Sequence, residues 1–376
     1  MQQLNPQDAQ FLYMESEDNL THVTSITILD PSTVPGGKPV RFKEILAHVE
    51  GRVHMSPVFR RKLVRVPLEL DFPYWVDDDK FDLENHVTHG RLPEPGDWRQ
   101  FCIHMARFHS RPLDMHRPLW EMYVVEGLDN FGWLPKGSYA IAIKIHHAAV
   151  DGRSIMEFFS AMADIDNKGT PAVPLNMAKL TRSPQPSLLD MAVRAGWHTI
   201  RSPISIIDGV MRATPGLYRM AQNALRSKGE SRQPVPDTRF NCPASPHKMF
   251  DATAFPLDDL KAVRKAVPGS TINDVVLAIC SGALRQYLLH HDELPNDSLV
   301  AWVPINARVG GISDRDSPGN NLTSMTTKIF TEIDDPVDRL NHIQRATQRS
   351  KETKAGVSAR LMTDLSKHVP AATQVL

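Results

Sequence analysis

Ile141-Ala142-Ile143-Lys144-Ile145-His146-His147-Ala148-Ala149-Val150-Asp151-Gly152 is the stretch on which the reading of this chain turns. Isoleucine at every second position predicts a buried strand, and the glycine ends it in a turn. Successive strand side chains point to opposite faces, so the two adjacent histidines separate. His147 follows Ile141, Ile143 and Ile145, whereas His146 follows Ala142 and Lys144. One imidazole is thereby expected to face a substrate while the other supports the wall. Gly152 lets the chain turn tightly from strand to helix. Ile155, Met156, Phe159 and Met162 then recur at helical spacing. Asp151 lies three residues before Ser154, so its carboxylate can cap the helix start, orient an imidazole, or do both. A metal centre competes for the same residues. The divergence of neighbouring strand positions and the lack of a third histidine or cysteine at a ligand offset count against it.

Upstream, Leu4-Asn5-Pro6-Gln7-Asp8 reads as a helix start, with Asn5 as cap, Pro6 at the first helical position and Asp8 in the first turn. Residues 22–29 alternate toward Ile26 and Ile28 as a strand. Phe42, Ile45, Leu46 and Val49 mark a helix, and residues 119–125 a second strand before the one at 139–147. The first half is therefore α/β. Downstream, Leu257, Leu260 and Val263 predict a helix. Thr271-Ile272-Asn273-Asp274 opens another, with Thr271 and Asp274 as a variant capping box. Residues 299–303 and 322–329 read as strands, and Val337, Leu340, Ile343 and Ala346 as a last helix.

Between 166 and 254 prolines interrupt every pattern, which predicts a crossover linker with short helices. Its stretch 187–228 carries Trp197, Ile200, Ile204 and Val210 beside Arg194, Arg201, Arg212 and Arg219. That basic, amphipathic character suits either the headgroup layer of a membrane or lipid droplet, or a linker helix packed on the protein with its arginines solvated. The expected organisation is an N-terminal domain at 1–165, the linker at 166–254 and a C-terminal domain at 255–376.

With 376 residues the chain is long enough for two cores. Its 43 basic and 43 acidic residues cancel, which leaves no global attraction to nucleic acid. Cys102, Cys242 and Cys280 form no ligand or redox spacing and are expected as buried small hydrophobes in a reducing compartment. No apolar run approaches the ~18 residues that would span a bilayer, so a cytoplasmic protein peripherally associated with a lipid surface is expected.

His146-His147-x-x-x-Asp151-Gly152 resembles the active-site motif of the bacterial wax ester synthase/acyl-CoA:diacylglycerol acyltransferases. Further blocks in the same order carry the resemblance along nearly the whole chain. They are Leu4-Asn5-Pro6-x-Asp8-x-x-Phe11-Leu12 with Thr21-His22-Val23, then Phe59-Arg60-Arg61-Lys62-Leu63, Pro112-Leu113-Asp114, Arg117-Pro118-Leu119-Trp120-Glu121 and Glu126-Gly127-Leu128. Asn273-Asp274-Val275-Val276-Leu277-Ala278, Val303-Pro304-Ile305-Asn306-Ala307-Arg308 and Gly319-Asn320 follow. The motif also resembles that of chloramphenicol acetyltransferase-like enzymes and peptide-synthetase condensation domains. The resemblance implies two such α/β domains, mixed sheets flanked by helices, with the active site in a tunnel between them. The family usually continues with a segment resembling Ile-Ser-Asn-Val-Pro-Gly-Pro, absent before Leu376, so the C-terminal domain is expected to be incomplete.

The resemblance implies transfer of a fatty acyl group from acyl-CoA, as co-substrate and with no bound cofactor or metal, to diacylglycerol or to a long-chain alcohol. His147 would be the general base, His146 the support beside it, and Asp151 with Gly152 the orienting turn. Asn273 would hydrogen-bond near the reacting carbonyl or hydroxyl, a role that competes with a structural one at a helix start. Trp120 reads as strand packing ahead of substrate binding, and His104 and His109, beside Arg107 and Arg111, as a solvated helix face ahead of a site for coenzyme A phosphates. The alternatives are a same-fold acyltransferase using carrier-protein thioesters, and a non-catalytic lipid-surface binding protein.

Overall fold

Pro6, with its fixed φ, opens the first helix, where the Ala9 amide donates to the Asn5 carbonyl at 2.9 Å. The computed structural model describes residues 2–34, 40–150, 154–164, 235–306 and 322–352, with isolated positions between 187 and 196. Its elements in chain order begin β1 (Gln2–Gln3), α1 (Pro6–Tyr13), β2 (His22–Leu29), α2 (Phe42–Glu50), β3 (Arg61–Val64), β4 (Tyr74–Asp77), β5 (Val87–Arg91) and α3 (Trp98–Ser110). They continue β6 (Trp120–Glu126), β7 (Tyr139–His146), α4 (Ser154–Met162), α5 (Leu257–Ala266), α6 (Ile272–His290), β8 (Val300–Asn306), β9 (Leu322–Lys328) and α7 (Pro336–Glu352).

β7 lies inside a four-stranded sheet ordered β2-β7-β6-β5, antiparallel except for the parallel β5–β6 pair. The period-2 rule sorts its two faces. Ile143 and Ile145 join Trp120, Met122 and Val124 of β6 against Ile45 and Val49 of α2 and Phe158 of α4. On the other face Ala140, Ala142 and Val125 meet Phe101, Met105 and Phe108 of α3. Lys144 is on that second face, wholly buried. It donates to the Phe108 carbonyl at 3.1 Å and the Arg111 carbonyl at 2.8 Å, and pairs with Glu121 at 2.9 Å. Burial pulls its ammonium below the usual lysine range, against the opposing pull of Glu121.

A three-stranded antiparallel sheet, β1-β4-β3, packs with α1 through Leu4, Ala9, Leu12, Leu63 and Phe72. That cluster also takes in Leu119 and Ala148, so α1 reaches the end of β7. Gly127 closes the turn after β6 at φ 81°, and a Cβ there would stand 3.2 Å from the Leu92 backbone.

In the second half Thr271 and Asp274 form the expected capping box on α6, with the Thr271 amide donating to Asp274 Oδ2 at 2.7 Å. Asp274 Oδ1 accepts from Thr347 of α7 at 2.7 Å. β8 and β9 form an antiparallel pair.

The α/β class holds, and the structure corrects several details. β3, β4 and β5 fill a region for which the sequence reading offered no strand. β7 ends at His146, one residue early. Cys102 is buried as expected, but Cys242 and Cys280 are exposed. His109 is not on a solvated face: its Nδ1 bonds Thr24 Oγ1 at 2.8 Å, and its ring meets His22 edge-on at 4.8 Å between centroids. Asp151, Gly152 and nearly all of the basic stretch 187–228 lie outside the described residues.

Candidate active site

The chain leaves β7 through a single 3₁₀ turn, His147–Ala149, and the pair of histidines straddles that junction. His146 is the last strand residue and caps the turn, its Nδ1 accepting from the Ala148 amide at 3.0 Å. An amide hydrogen can be met there only by a lone pair, so the ring hydrogen of His146 is on Nε2. Nε2 stands 3.0 Å from Glu15 Oε2 and 3.0 Å from Thr21 Oγ1. The Thr21 hydroxyl spends its own hydrogen on the Phe11 carbonyl at 2.7 Å, which turns a lone pair toward His146. Both nitrogens of His146 are thus engaged, and its side chain is 0 % exposed.

His147 differs in every respect. Its backbone amide donates to the Thr21 carbonyl at 3.0 Å, but its half-buried ring makes no side-chain hydrogen bond among the described residues. Phe11 stacks on it, with centroids 4.5 Å apart and planes 12° apart. Nδ1 is enclosed and has no partner among the described residues. Burial pulls its pKa below the ordinary 6.5, and the neighbouring His146 acts in the same direction. A ring so placed is unprotonated at neutral pH and has one nitrogen, Nε2, that is not enclosed without a partner. These are the requirements of a general base. The pair does divide as strand parity demands, with one correction. His147 does not continue the isoleucine face, because the 3₁₀ turn carries its ring to Phe11 of α1.

Behind the pair, His22 lies directly opposite His146 in the β2–β7 register. It is 5 % exposed and bonds the His109 carbonyl at 2.7 Å through Nε2. Burial lowers its pKa to about 4, with Lys144 and His109 adding to the effect. Glu15 is held below its usual range. Burial pushes it up, but the hydrogen bonds from His146 and from the Thr21 backbone amide outweigh that.

Of the candidate residues, the structure brings His146 and His147 together. Asn273 is exposed in the first turn of α6 and forms no hydrogen bond with either histidine among the described residues. Asp274 beside it is a cap. Trp120 is fully buried, its indole donating to the Phe59 carbonyl at 3.1 Å and its ring stacked on His86. Its neighbour Leu119 gives its carbonyl to the His146 amide at 3.0 Å, so the Arg117–Glu121 block supports the histidine junction from β6. Sequence reasoning passed over Glu15 altogether. Phe11, Thr21 and His22 were noticed only as members of a short opening block. The signal available for them was register: a strand beginning at His22 that pairs with β7 must bring its N-terminal end to the histidines.

The profile of the wax ester synthase/diacylglycerol acyltransferase catalytic domain matches residues 4–276. The chain belongs to that family. The profile of the family's C-terminal domain matches 318–376. A Mycobacterium tuberculosis protein provisionally named a diacylglycerol O-acyltransferase is 32% identical over 371 residues, 97% of this chain and 70% of the relative. The family's wax ester synthase/diacylglycerol acyltransferase from Marinobacter aquaeolei VT8 superposes with a TM-score of 0.62 at 25% identity, covering 96% of this chain and 79% of that one. The first condensation domain of the calcium-dependent antibiotic synthetase shares the fold at a TM-score of 0.50 and 14% identity, over 96% of this chain and 76% of that domain. Both expectations drawn from the motif, the family and its kinship in fold with condensation domains, are thus met. No helix among the described residues is long and apolar enough to cross a membrane.

Proposed function

We propose that this family member transfers a fatty acyl group from coenzyme A to the hydroxyl of diacylglycerol, and of long-chain alcohols, with His147 as general base. The observation that carries the reading is the asymmetry of the histidine pair: His146 has both nitrogens engaged, and the His147 ring has no hydrogen-bond partner among the described residues. The family match and the name of the mycobacterial relative support the substrate class.

An alcohol is far too weak an acid to ionise beforehand, so its proton must leave as the carbon–oxygen bond forms. Nε2 of neutral His147 takes that proton while the alcohol oxygen adds to the thioester carbonyl. Collapse of the tetrahedral intermediate breaks the carbon–sulfur bond, and the imidazolium returns the proton to the departing thiolate. General-base assistance of this kind contributes about 10²- to 10⁴-fold. A thioester already contains a good leaving group, so the reaction proceeds without an acyl-enzyme, and donor and acceptor bind together, reaching His147 from different sides.

For Nε2 to act, the ring hydrogen must be on Nδ1, which is enclosed without an acceptor among the described residues. An orphaned buried donor costs about 1–3 kcal/mol, and Asp151, four residues on in the sequence, is assigned to meet it, with Gly152 as the turn between. Asn273 is assigned a hydrogen bond to the reacting carbonyl or hydroxyl. Its exposure leaves its amide free to make one. The basic amphipathic sequence at 187–228 is assigned to a membrane or lipid-droplet surface.

The test offers radiolabelled palmitoyl-coenzyme A with diacylglycerol and with hexadecanol separately, no carrier protein present, and resolves the lipids by thin-layer chromatography. Triacylglycerol and wax ester are the expected products, and His147→Ala should form neither while keeping its circular-dichroism spectrum. Near-normal turnover by that variant would refute the base. Flotation on liposomes without any thiol release would favour a binding protein.

A further inference from the structure

Residues 11 to 21, from the end of α1 to the start of β2, touch the histidine pair at four points. Phe11 stacks on His147, Glu15 and the Thr21 hydroxyl meet Nε2 of His146, and the Thr21 carbonyl takes the His147 amide. The reaction proposed above uses none of the three side chains. We propose that Glu15 is a positioning residue for acyl transfer: by accepting the Nε2 hydrogen of His146 it holds the tautomer whose Nδ1 lone pair caps the turn that presents His147. The proposal rests on His147 being the base.

The argument is one of hydrogen accounting. His146 is wholly buried, so no water can replace a lost partner. If its hydrogen moved to Nδ1, that N–H would face the Ala148 N–H 3.0 Å away, and the Nε2 lone pair would face a carboxylate. Both contacts would turn repulsive, and the 3₁₀ turn would lose its cap. Thr21 alone leaves the choice open, because a hydroxyl can donate or accept. Only its bond to the Phe11 carbonyl biases it. A carboxylate has no such ambiguity, since it only accepts. Glu15 moreover receives both His146 and the Thr21 backbone amide. A glutamine of the same shape could accept through one atom and would present NH₂ at the other. The isosteric change Glu15→Gln therefore removes tautomer control while preserving volume and fold.

Histidine-labelled protein carrying Glu15→Gln is compared with the parent in long-range nitrogen–proton spectra and in steady-state kinetics. The expected result is a shift of the His146 hydrogen from Nε2 toward Nδ1 and a fall in kcat of about tenfold, with the KM for palmitoyl-coenzyme A and for diacylglycerol within about twofold. Thr21→Ser, which keeps the hydroxyl, should leave both readouts near the parent. Should Glu15→Gln fail to fold, Thr21→Val, which removes the hydroxyl and leaves the carboxylate, is expected to keep the His146 hydrogen on Nε2, and a shift to Nδ1 in that variant would overturn the role of Glu15. Unchanged kcat, or a fall in kcat with the tautomer intact, would overturn the role of Glu15. His147→Ala is assayed alongside. If it is inactive while Glu15→Gln keeps full kcat, the positioning role alone has failed. If it turns over normally, the base assignment has failed, whatever the tautomer of His146.

Discussion

Removing the Phe11 ring should change how the enzyme responds to pH as well as how fast it works. Phe11 lies flat on His147, with planes 12° apart, and covers one face of the imidazole whose burial lowers its pKa. Two effects follow from Phe11→Ala. The stacking contact, about 0.5–1.5 kcal/mol, no longer fixes the ring plane. If all of it serves to orient the base, kcat/KM falls about two- to twelvefold at pH 8, where the base is neutral in both proteins. The uncovered face also admits water, so the pKa rises toward its ordinary 6.5. The sign is definite. A base must be unprotonated, activity is lost as pH falls through the pKa, and a higher pKa moves that loss to higher pH. At pH 6 a group titrating at 6.5 is only about one quarter neutral, so the additional loss there is at most about fourfold. Phe11→Leu keeps the face covered without stacking, and its deficit should be the same at both pH values. The assay is radiolabelled palmitoyl transfer to diacylglycerol between pH 5.5 and 8.5, with circular dichroism as the check on folding. An acid limb of Phe11→Ala that superimposes on the parent's, or moves to lower pH, would show that burial by Phe11 does not set the titration of His147.

Trp120→Ala should cost about 3–5 kcal/mol in urea denaturation, with about 1 kcal/mol more from the Phe59 carbonyl it leaves without its indole donor, because Trp120 is fully buried. A loss below about 1 kcal/mol accompanied by a raised KM would restore a substrate-binding role. Asp274→Ala removes both the capping box and the acceptor of Thr347 and should destabilise by about 2–4 kcal/mol. Asn273→Ala, at an exposed position, should stay within about 0.5 kcal/mol of the parent, so any activity it loses is chemical. His22 has a folded pKa of about 4 against 6.5 in the unfolded chain, so the folded protein binds fewer protons between these values. Its contribution is complete above pH 6.5 and is lost as pH falls toward 4, about 3 kcal/mol in all. His22→Asn should flatten that part of the stability profile, and an unchanged slope would remove His22 from the account.

Long periodic elements were legible in the sequence. The strand read at 22–29 is β2 to the residue, and the capping box at Thr271 and Asp274 is formed as expected. β3 and β4 were not legible, because four residues each give alternation too little length to register, and Pro57, Pro67 and Pro73 in the segments around them break the pattern further. β5 reads Val-Thr-His-Gly-Arg, with one apolar residue, and is recruited by parallel pairing with β6 rather than by its own pattern. The cysteines were misjudged because residue type averages over contexts: Cys280 sits on a solvent-facing position of α6. At the site, strand parity separated the two histidines, but the 3₁₀ turn that carries the His147 ring to Phe11 was not legible. The partners of His146 are 131 and 125 residues away, a separation that no local spacing encodes.

For the reaction proposed above, the junction also accounts for two histidines in succession rather than one. A base must hold its position on the rigid sheet, yet its ring must leave the sheet's packed face to meet a substrate. β7 resolves this by ending between the two. His146 is still in register with β2, opposite His22, and is anchored at both nitrogens. His147 begins the turn with its amide donating to the Thr21 carbonyl, so the backbone is fixed while the ring has no hydrogen-bond partner among the described residues that would compete with an acceptor. A side chain at 146 that could not accept from Ala148 would leave the turn uncapped, and one that could not also donate would take from Glu15 and Thr21 the hydrogen they share. Neutral imidazole does both across one small ring, and asparagine, which also has both capacities, would have to span the same gap with a shorter arm. On the proposed mechanism the first histidine is thus required by the geometry of the second, and the doublet acts as a single unit whose hydrogen positions are set from the connection between α1 and β2.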